Sequence, residues 1–453
     1  MQAITRRRLI KSGAVAAVGA PMIVPSSVFG QNAPSNRTNV GAIGVGRISR
    51  GHDMKEIHRH ADAHIVAVCD VDTKRLGAAM QLVDDRYAQS SGKSYSGTKG
   101  YTDYRELLAS SDVDAVLIST PDHQHAGLAV PAVRARKHVY LQKPASLTVA
   151  EGRTMADAVK ASGMVLQMGS QQRGQEPWPQ FHRACELVRN GRIGKLRHVE
   201  VGLPGDPSGP EAPPMPIPPN LNYDGWLGST PEIYYTEIRV HPQNSFEDRP
   251  GWLRSEQFGS GMITGWGAHH IDTAHWGMGT EDTGPIEIWG KAEFPKSGLW
   301  DVHGPFETHA RYANGVTMTV SGALTNGVKF IGSKGWIFVT RSGAVTASDP
   351  GGPQVVPLQA NDPKILDSVI GPDEIRLFKA PQQHRNWLDA IRTGVPVSAP
   401  VEVGHRSCST CLLHWIAMKT GRRLKWDPVQ ERFIGDDAAN AMLSRPQRAR
   451  YAI

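Results

Sequence analysis

Three short stretches carry residue types that handle a redox dinucleotide. Gly44-Val45-Gly46-Arg47-Ile48-Ser49 follows the apolar run Val40-Gly41-Ala42-Ile43. In a strand, turn and helix, the first glycine permits the tight turn and the second lets the backbone approach a pyrophosphate. The helix N-terminus then meets the phosphate charge. Arg47 and Ile48 lie in that turn, and Ser49 stands where a third glycine is usual but is small enough for close helix packing. Asp70 closes the next apolar run, His64-Ile65-Val66-Ala67-Val68-Cys69, about twenty residues on, where a carboxylate accepts both ribose hydroxyls. Asp70 favours NAD over NADP, while Lys74 and Arg75 just beyond it are candidates for a 2'-phosphate.

The second stretch is Leu141-Gln142-Lys143-Pro144. A partly buried lysine beside a positively charged nicotinamide ring has its ammonium disfavoured and serves as an acid/base or orients a hydroxyl. The third is Gly267-Ala268-His269-His270-Ile271-Asp272, in which His269 and His270 are candidates to exchange the substrate's proton. His269, His270, Asp272 and His275 do not put three ligands on one helical face, so no metal is predicted. Thr120 closes the apolar run Asp114-Thr120, and Pro121, His123 and His125 follow it. They sit at the carboxyl end of a strand, where open α/β sheets bind ligands, and are assigned to the cofactor together with Lys143 and Pro144. Gln171, Gln172 and Arg173 follow a further run in the same way, and Tyr223, Trp226, Trp252, Trp266 and Trp276 offer faces for a sugar ring.

Positioning these residues requires a parallel sheet. From Asn39 to about Val165, short β-rich runs alternate with helical ones, as in a doubly wound α/β Rossmann domain, here bounded at 38-165. Val165-Met168 reads as one more parallel strand. From 166 to 453 the texture becomes α+β, with alternating runs at Leu196-Val201, Ile286-Ala292, His309-Tyr312, Val316-Ser321 and Gly335-Thr340 that predict a large, mainly antiparallel sheet. The proline-rich stretch Pro204-Pro219 reads as a surface loop over the site.

The 453 residues suffice for two or three domains with buried cores. The formal charge is +7, of which Arg6, Arg7, Arg8 and Lys11 supply four, and no basic run is interleaved with aromatics. Nucleic-acid binding is therefore not predicted. The chain opens with Thr5-Arg6-Arg7-Arg8-Leu9-Ile10-Lys11, a short apolar stretch, and small residues to Gly30. It reads as a twin-arginine signal at 1-30, recognised by the twin-arginine export machinery and addressing the protein to the periplasm. The apolar stretch is too short for a span of ~20 residues. Of four cysteines, Cys408 and Cys411 have CxxC spacing inside an apolar helical pattern and read as core thiols.

Taken with Arg423-Leu424-Lys425-Trp426-Asp427-Pro428, these motifs resemble the Gfo/Idh/MocA family of NAD(P)-dependent oxidoreductases, specifically its exported branch. The resemblance implies hydride transfer between a tightly bound nicotinamide and a sugar, cyclitol or glycoside, with Lys143 beside both. It also implies a homo-oligomer formed through the antiparallel sheet. Two departures stand out. Gln142 occupies a position commonly held by Glu, which leaves the Lys143 ammonium with less support, and Gly265 occupies the position of an Asp four residues before His269. Two alternatives accompany this reading: an NAD-dependent glycosidase or lyase that works through transient oxidation, and a sugar-binding protein that kept the fold without turnover.

Overall fold

The computed structural model describes residues 37-343 and 354-453. Residues 1-30, read from the sequence as an export signal, lie outside the described residues. Six parallel strands form the first sheet: β1 (Thr38–Ile43), β2 (Ala63–Cys69), β3 (Lys99–Tyr101), β4 (Ala115–Ile118), β5 (His138–Leu141) and β6 (Leu166–Met168). Their order is β3-β2-β1-β4-β5-β6. The order reverses between β1 and β4, and this opens a crevice at their carboxyl ends. β4 is buried along its whole length, as expected of a parallel strand covered by helices on both faces.

Local chemistry sets the helix ends. The Asp72 carboxylate accepts from the Lys74 and Arg75 amides to start the helix Thr73–Ser91, and left-handed Gly92 ends it. Thr148 and Glu151 form a reciprocal capping box at the head of Val149–Ser162, which stops at Gly163.

The second sheet has nine strands: β7 (Leu196–Gly202), β8 (Glu287–Ala292), β9 (Phe306–Arg311), β10 (Thr317–Ser321), β11 (Gly327–Gly332), β12 (Trp336–Val339), β13 (Leu358–Ala360), β14 (Leu424–Asp427) and β15 (Arg432–Phe433). Their order is β13-β12-β11-β7-β10-β9-β8-β14-β15. Only β7 and β10 pair in parallel; the other neighbours are antiparallel. Helices Gly267–Met278 and Val401–Thr420 pack on one face of this sheet and join both domains into one core. Cys408 and Cys411 lie in the second of these helices, buried and unbridged.

The structure departs from the sequence reading at three places. The parallel strand read at Val165-Met168 is present as β6, but it falls past the boundary drawn at 165, so the first domain runs further than 38-165. Helix Gln383–Thr393, far along the chain, packs Trp387 and Leu388 into the same cluster as Val40, Val68 and Tyr140. Its amphipathic face completes the first domain's core, so the domain is discontinuous in sequence. The helix after the glycine turn is also not purely α: Ser49–Asp53 is a π-turn that passes into Met54–Ile57.

Candidate active site

A cavity of about 520 Å³ opens at the carboxyl ends of β1, β2, β4 and β5 and is closed by segments of the second domain. Gly44 turns at φ 77°, and a Cβ there would stand 2.5 Å from Thr120 Cγ2 and 3.0 Å from the Thr120 backbone. Gly46 is different: a Cβ there would meet nothing within 4 Å, and the residue lines the cavity beside Arg47 and Ile48. The open space above Gly46 is where a pyrophosphate would be cradled.

Asp70 closes β2 on the rim, and its two carboxylate oxygens accept from the Val45 and Asp72 amides, each at 2.9 Å. Of the two basic candidates beyond it, Arg75 is turned to the carbonyls of Pro242 (2.8 Å) and Ser245 (3.4 Å). Turn, rim carboxylate and open volume fit a dinucleotide, with the glycines and Asp70 as its holders.

Lys143 also lines the cavity, half-buried, and its Nζ donates to the Gly265 carbonyl oxygen at 2.9 Å. The Lys143-Pro144 peptide is cis. Burial pushes the Lys143 ammonium well below the ordinary lysine range, and the nearby Arg341 and Arg249 guanidiniums push the same way. The group that opposes them is Asp122. Burial raises the Asp122 carboxyl, Lys143 restrains that rise, and Asp122 Oδ2 has no hydrogen-bond partner.

Gln142 does not supply that support because it faces elsewhere: its amide donates to Asp53 Oδ1 at 2.8 Å and Oδ2 at 3.0 Å. Asp53 also accepts from Ser119 Oγ at 2.7 Å and is held well below the usual carboxylate range by hydrogen bonds from His384 and His52. A glutamate at 142 would set a second negative charge against Asp53, so glutamine suits this pocket. Among the described residues, His52, Asp53 and His384 form the one grouping with ligand-like spacing. The carboxylate in it is already engaged by these donors.

The structure separates the candidate histidines. His269 lines the cavity. Burial, then Arg341, Lys143 and His270, hold its ring neutral, and its Nδ1 has no partner. His270 points away and is not part of the site. It is fully buried, stacked on Trp266 with ring centroids 4.9 Å apart, and wedged between Gln172 (3.3 Å) and Asn326 (2.8 Å). Consecutive helical residues project about 100° apart, so only one of the pair can face the cavity.

Asp272 pairs with Arg173 at 2.7 Å, and His275 contacts Tyr312 Oη at 2.8 Å. Both belong to the packing around helix Gly267–Met278. His123 and His125 also stand behind the cavity wall rather than in it. His123 Nε2 donates to the Trp226 carbonyl at 2.8 Å. His125 bridges the carbonyls of Pro144 (2.6 Å) and Thr120 (2.9 Å); burial pushes it down to about 4. A neutral ring donates to one carbonyl at a time, so His125 ties the two motifs together without reaching a ligand. Thr120 and Pro121 do line the cavity, while Pro144 lies just outside it.

Among the aromatic candidates, Trp226 and Trp252 reach the cavity, whereas Tyr223, Trp266 and Trp276 are packing residues. The cover is formed by residues 240-254 rather than by Pro204-Pro219. Asp206, in the proline-rich stretch, instead turns inward and accepts from the Met262 amide. Residues the sequence reading passed over include Asp122, His52, Trp178, Arg249 and Arg341, all lining the cavity. Asp122 sat inside a motif already singled out; the others carried no local signal.

The profile of the Gfo/Idh/MocA oxidoreductase family, NAD-binding Rossmann fold, matches residues 38-170, and that of its C-terminal alpha/beta domain matches 208-347 and 371-453. The chain belongs to this family.

Similar proteins include an inositol 2-dehydrogenase of Salmonella typhimurium, 30% identical over 156 residues (34% of this chain, 42% of the relative). A glycosyl hydrolase family 109 protein of Stenotrophomonas maltophilia is 28% identical over 251 residues (54% and 52%). The chain thus spans about half the length of the curated relatives it matches. Among solved structures, the WlbA dehydrogenase of Bordetella pertussis in complex with NADH and UDP-GlcNAcA superposes with a TM-score of 0.59 at 17% identity, covering 86% of this chain and 99% of that one. The aldose-aldose oxidoreductase of Caulobacter crescentus gives 0.56 at 19%, with 86% and 99% covered. At such identities these two structures establish the shared Gfo/Idh/MocA fold.

Proposed function

We propose that this Gfo/Idh/MocA member is an NAD-dependent oxidoreductase acting on a hydroxyl or carbonyl of a sugar, cyclitol or glycoside. The carrying observation is half-buried Lys143 on the cavity wall, held by the Gly265 carbonyl, with Asp122 near enough to act on its charge and neutral His269 lining the same cavity. When bound, the nicotinamide supplies hydride acceptance and donation.

The rest of the chemistry belongs to side chains. Lys143 Nζ, with its ammonium disfavoured, takes the proton of the substrate hydroxyl and returns it in the reverse direction. Asp122 supports the protonated lysine. His269 is too weakly basic to be the principal base and orients the reacting oxygen by a hydrogen bond. This narrows the earlier choice between Lys143 and His269 to the lysine.

A second feature supports a cofactor that stays bound. The Phe246 ring lies under both Arg50 (4.5 Å) and Arg75 (5.1 Å), and the two arginines also donate to carbonyls of the 242-246 segment. The covering segment is thereby clasped to the cofactor half. A retained cofactor suits a chain whose first residues read as a twin-arginine address to the periplasm, where no free nicotinamide pool supplies it. Half-buried Trp289, Lys329 and Trp336 on the nine-stranded sheet support self-association of this domain.

The test is to purify the protein without added nucleotide, denature it, and assay the supernatant for NAD(H) and NADP(H). Sugar oxidation is then followed with the loaded enzyme. Near-stoichiometric NAD and net oxidation support this reading, whereas no bound or bindable nucleotide would overturn it. The glycosyl hydrolase family 109 relative favours one second reading, cleavage of a glycosidic bond. Release of free sugar from an aryl glycoside without net NADH would select it.

A further inference from the structure

Arg341 stands just beyond the end of β12, so the second domain delivers a cation to the reacting end of the cavity. The residue is 7% exposed and lines the cavity together with Lys143 and His269. Its guanidinium lies over the Trp178 ring at 3.9 Å and over Trp266 at 5.1 Å. The hydrogen-bond partner it has is neutral: with the Gln172 amide oriented to satisfy its neighbours, Nε donates to its oxygen at 3.1 Å. Nη2 is buried without a partner, and among the described residues no carboxylate forms an ion pair with this arginine. The contrast with Arg173 is instructive, since that equally buried arginine is matched by Asp272 and Glu281. Burial alone sets the Arg341 guanidinium, pushing it down to about 9, and no acid offsets that cost. A buried guanidinium is expensive unless paired. The indoles cover the guanidinium faces, and with Nε taken by Gln172 it is the Nη edge that is left for a planar anion.

We propose that Arg341 is the anchor for a carboxylate on the substrate, so that the enzyme takes an acidic sugar such as a uronic or aldonic acid in preference to its neutral counterpart. The inference deepens the oxidoreductase reading and rests on it for the identity of the sugar ring. Lys143 and Asp122 serve the reacting hydroxyl, and Arg341 fixes the distance between that hydroxyl and the acid group. Trp178, over which the guanidinium lies, completes the subsite wall. A carboxylate fits better than a tetrahedral phosphate because its two oxygens lie in one plane with the donors of a guanidinium edge.

The test uses the NAD-loaded full chain and measures binding apart from turnover. Tryptophan fluorescence is titrated with matched pairs: D-glucose and D-glucuronate, D-galactose and D-galacturonate, D-mannose and D-mannuronate, with glucose 6-phosphate as the phosphate arm. At least one uronate is expected to bind roughly tenfold to a hundredfold more tightly than its neutral partner. Arg341→Gln should erase that preference while leaving affinity for the neutral sugar and NADH fluorescence unchanged. Arg341→Lys, which keeps the charge without the fork, should recover part of it and guards against a folding defect in the glutamine variant. No preference for any uronate in the wild type, the same preference in Arg341→Gln, or tighter binding of glucose 6-phosphate would overturn the proposal. Uronate binding without sugar oxidation would leave the subsite standing and sink only the oxidoreductase reading.

Discussion

Lys143 donates from Nζ to the main-chain carbonyl of Gly265, the residue at which relatives would carry an acid. The backbone at 265 thereby orients the lysine, and the negative charge comes from Asp122, which follows the neighbouring strand β4. Replacement of Lys143 by Met should cut turnover by about a hundredfold or more while leaving NAD bound, as read by single-turnover kinetics and nucleotide content. A rate within a factor of a few of wild type would remove Lys143 from the chemistry.

Asp122 should set the pH dependence. Oxidation needs Lys143 unprotonated, so the rate is expected to rise with pH through the depressed lysine pKa, at a pH below the ordinary lysine range. In Asp122→Asn the opposing charge is gone, the ammonium is less supported, and the rising limb should move to lower pH. A pH-rate profile of kcat/KM that keeps its midpoint would show that Asp122 acts only through packing.

The two glycines of the turn should separate folding from binding. Gly44→Ala forces a side chain into positive φ and against Thr120, so both Tm and NAD affinity should fall. Gly46→Ala meets no protein atom, so the apoprotein's Tm should be unchanged while NADH affinity, measured by fluorescence titration, drops tenfold or more on the order of one lost backbone contact. Unchanged affinity in Gly46→Ala would place the pyrophosphate elsewhere.

Asp272 should prove structural. Its removal leaves the Arg173 side chain, 4% exposed, with Glu281 as its remaining ion-pair partner. Asp272→Ala should therefore cost about 3–5 kcal/mol of stability, seen as a lowered denaturation midpoint, with kcat of the surviving folded enzyme near wild type. A kcat loss at intact stability would return Asp272 to the active site.

Phe246 should govern how long the cofactor stays. Phe246→Ala removes the ring under Arg50 and Arg75 and should speed NAD release in a dialysis or stopped-flow displacement assay without altering the chemical step. Equal release rates would show that the clasp has no part in retention.

The sequence alone determined the parallel sheet, the glycine turn, Asp70 at the end of β2 and the lysine at the end of β5, because each is written in local periodicity and turn chemistry over a few residues. It also marked the second domain as antiparallel, although β11, β13, β14 and β15 escaped notice. Tertiary packing decided the rest. Whether His269 or His270 faces the substrate depends on which side of one helix the core claims. The carboxylate opposing Lys143, the partner taken by Gln142 and the arrival of Arg341 from β12 depend on contacts between segments about 20 to 200 residues apart. No spacing rule encodes such contacts, since burial and charge balance at the cavity are properties of the assembled surfaces rather than of any one stretch of chain.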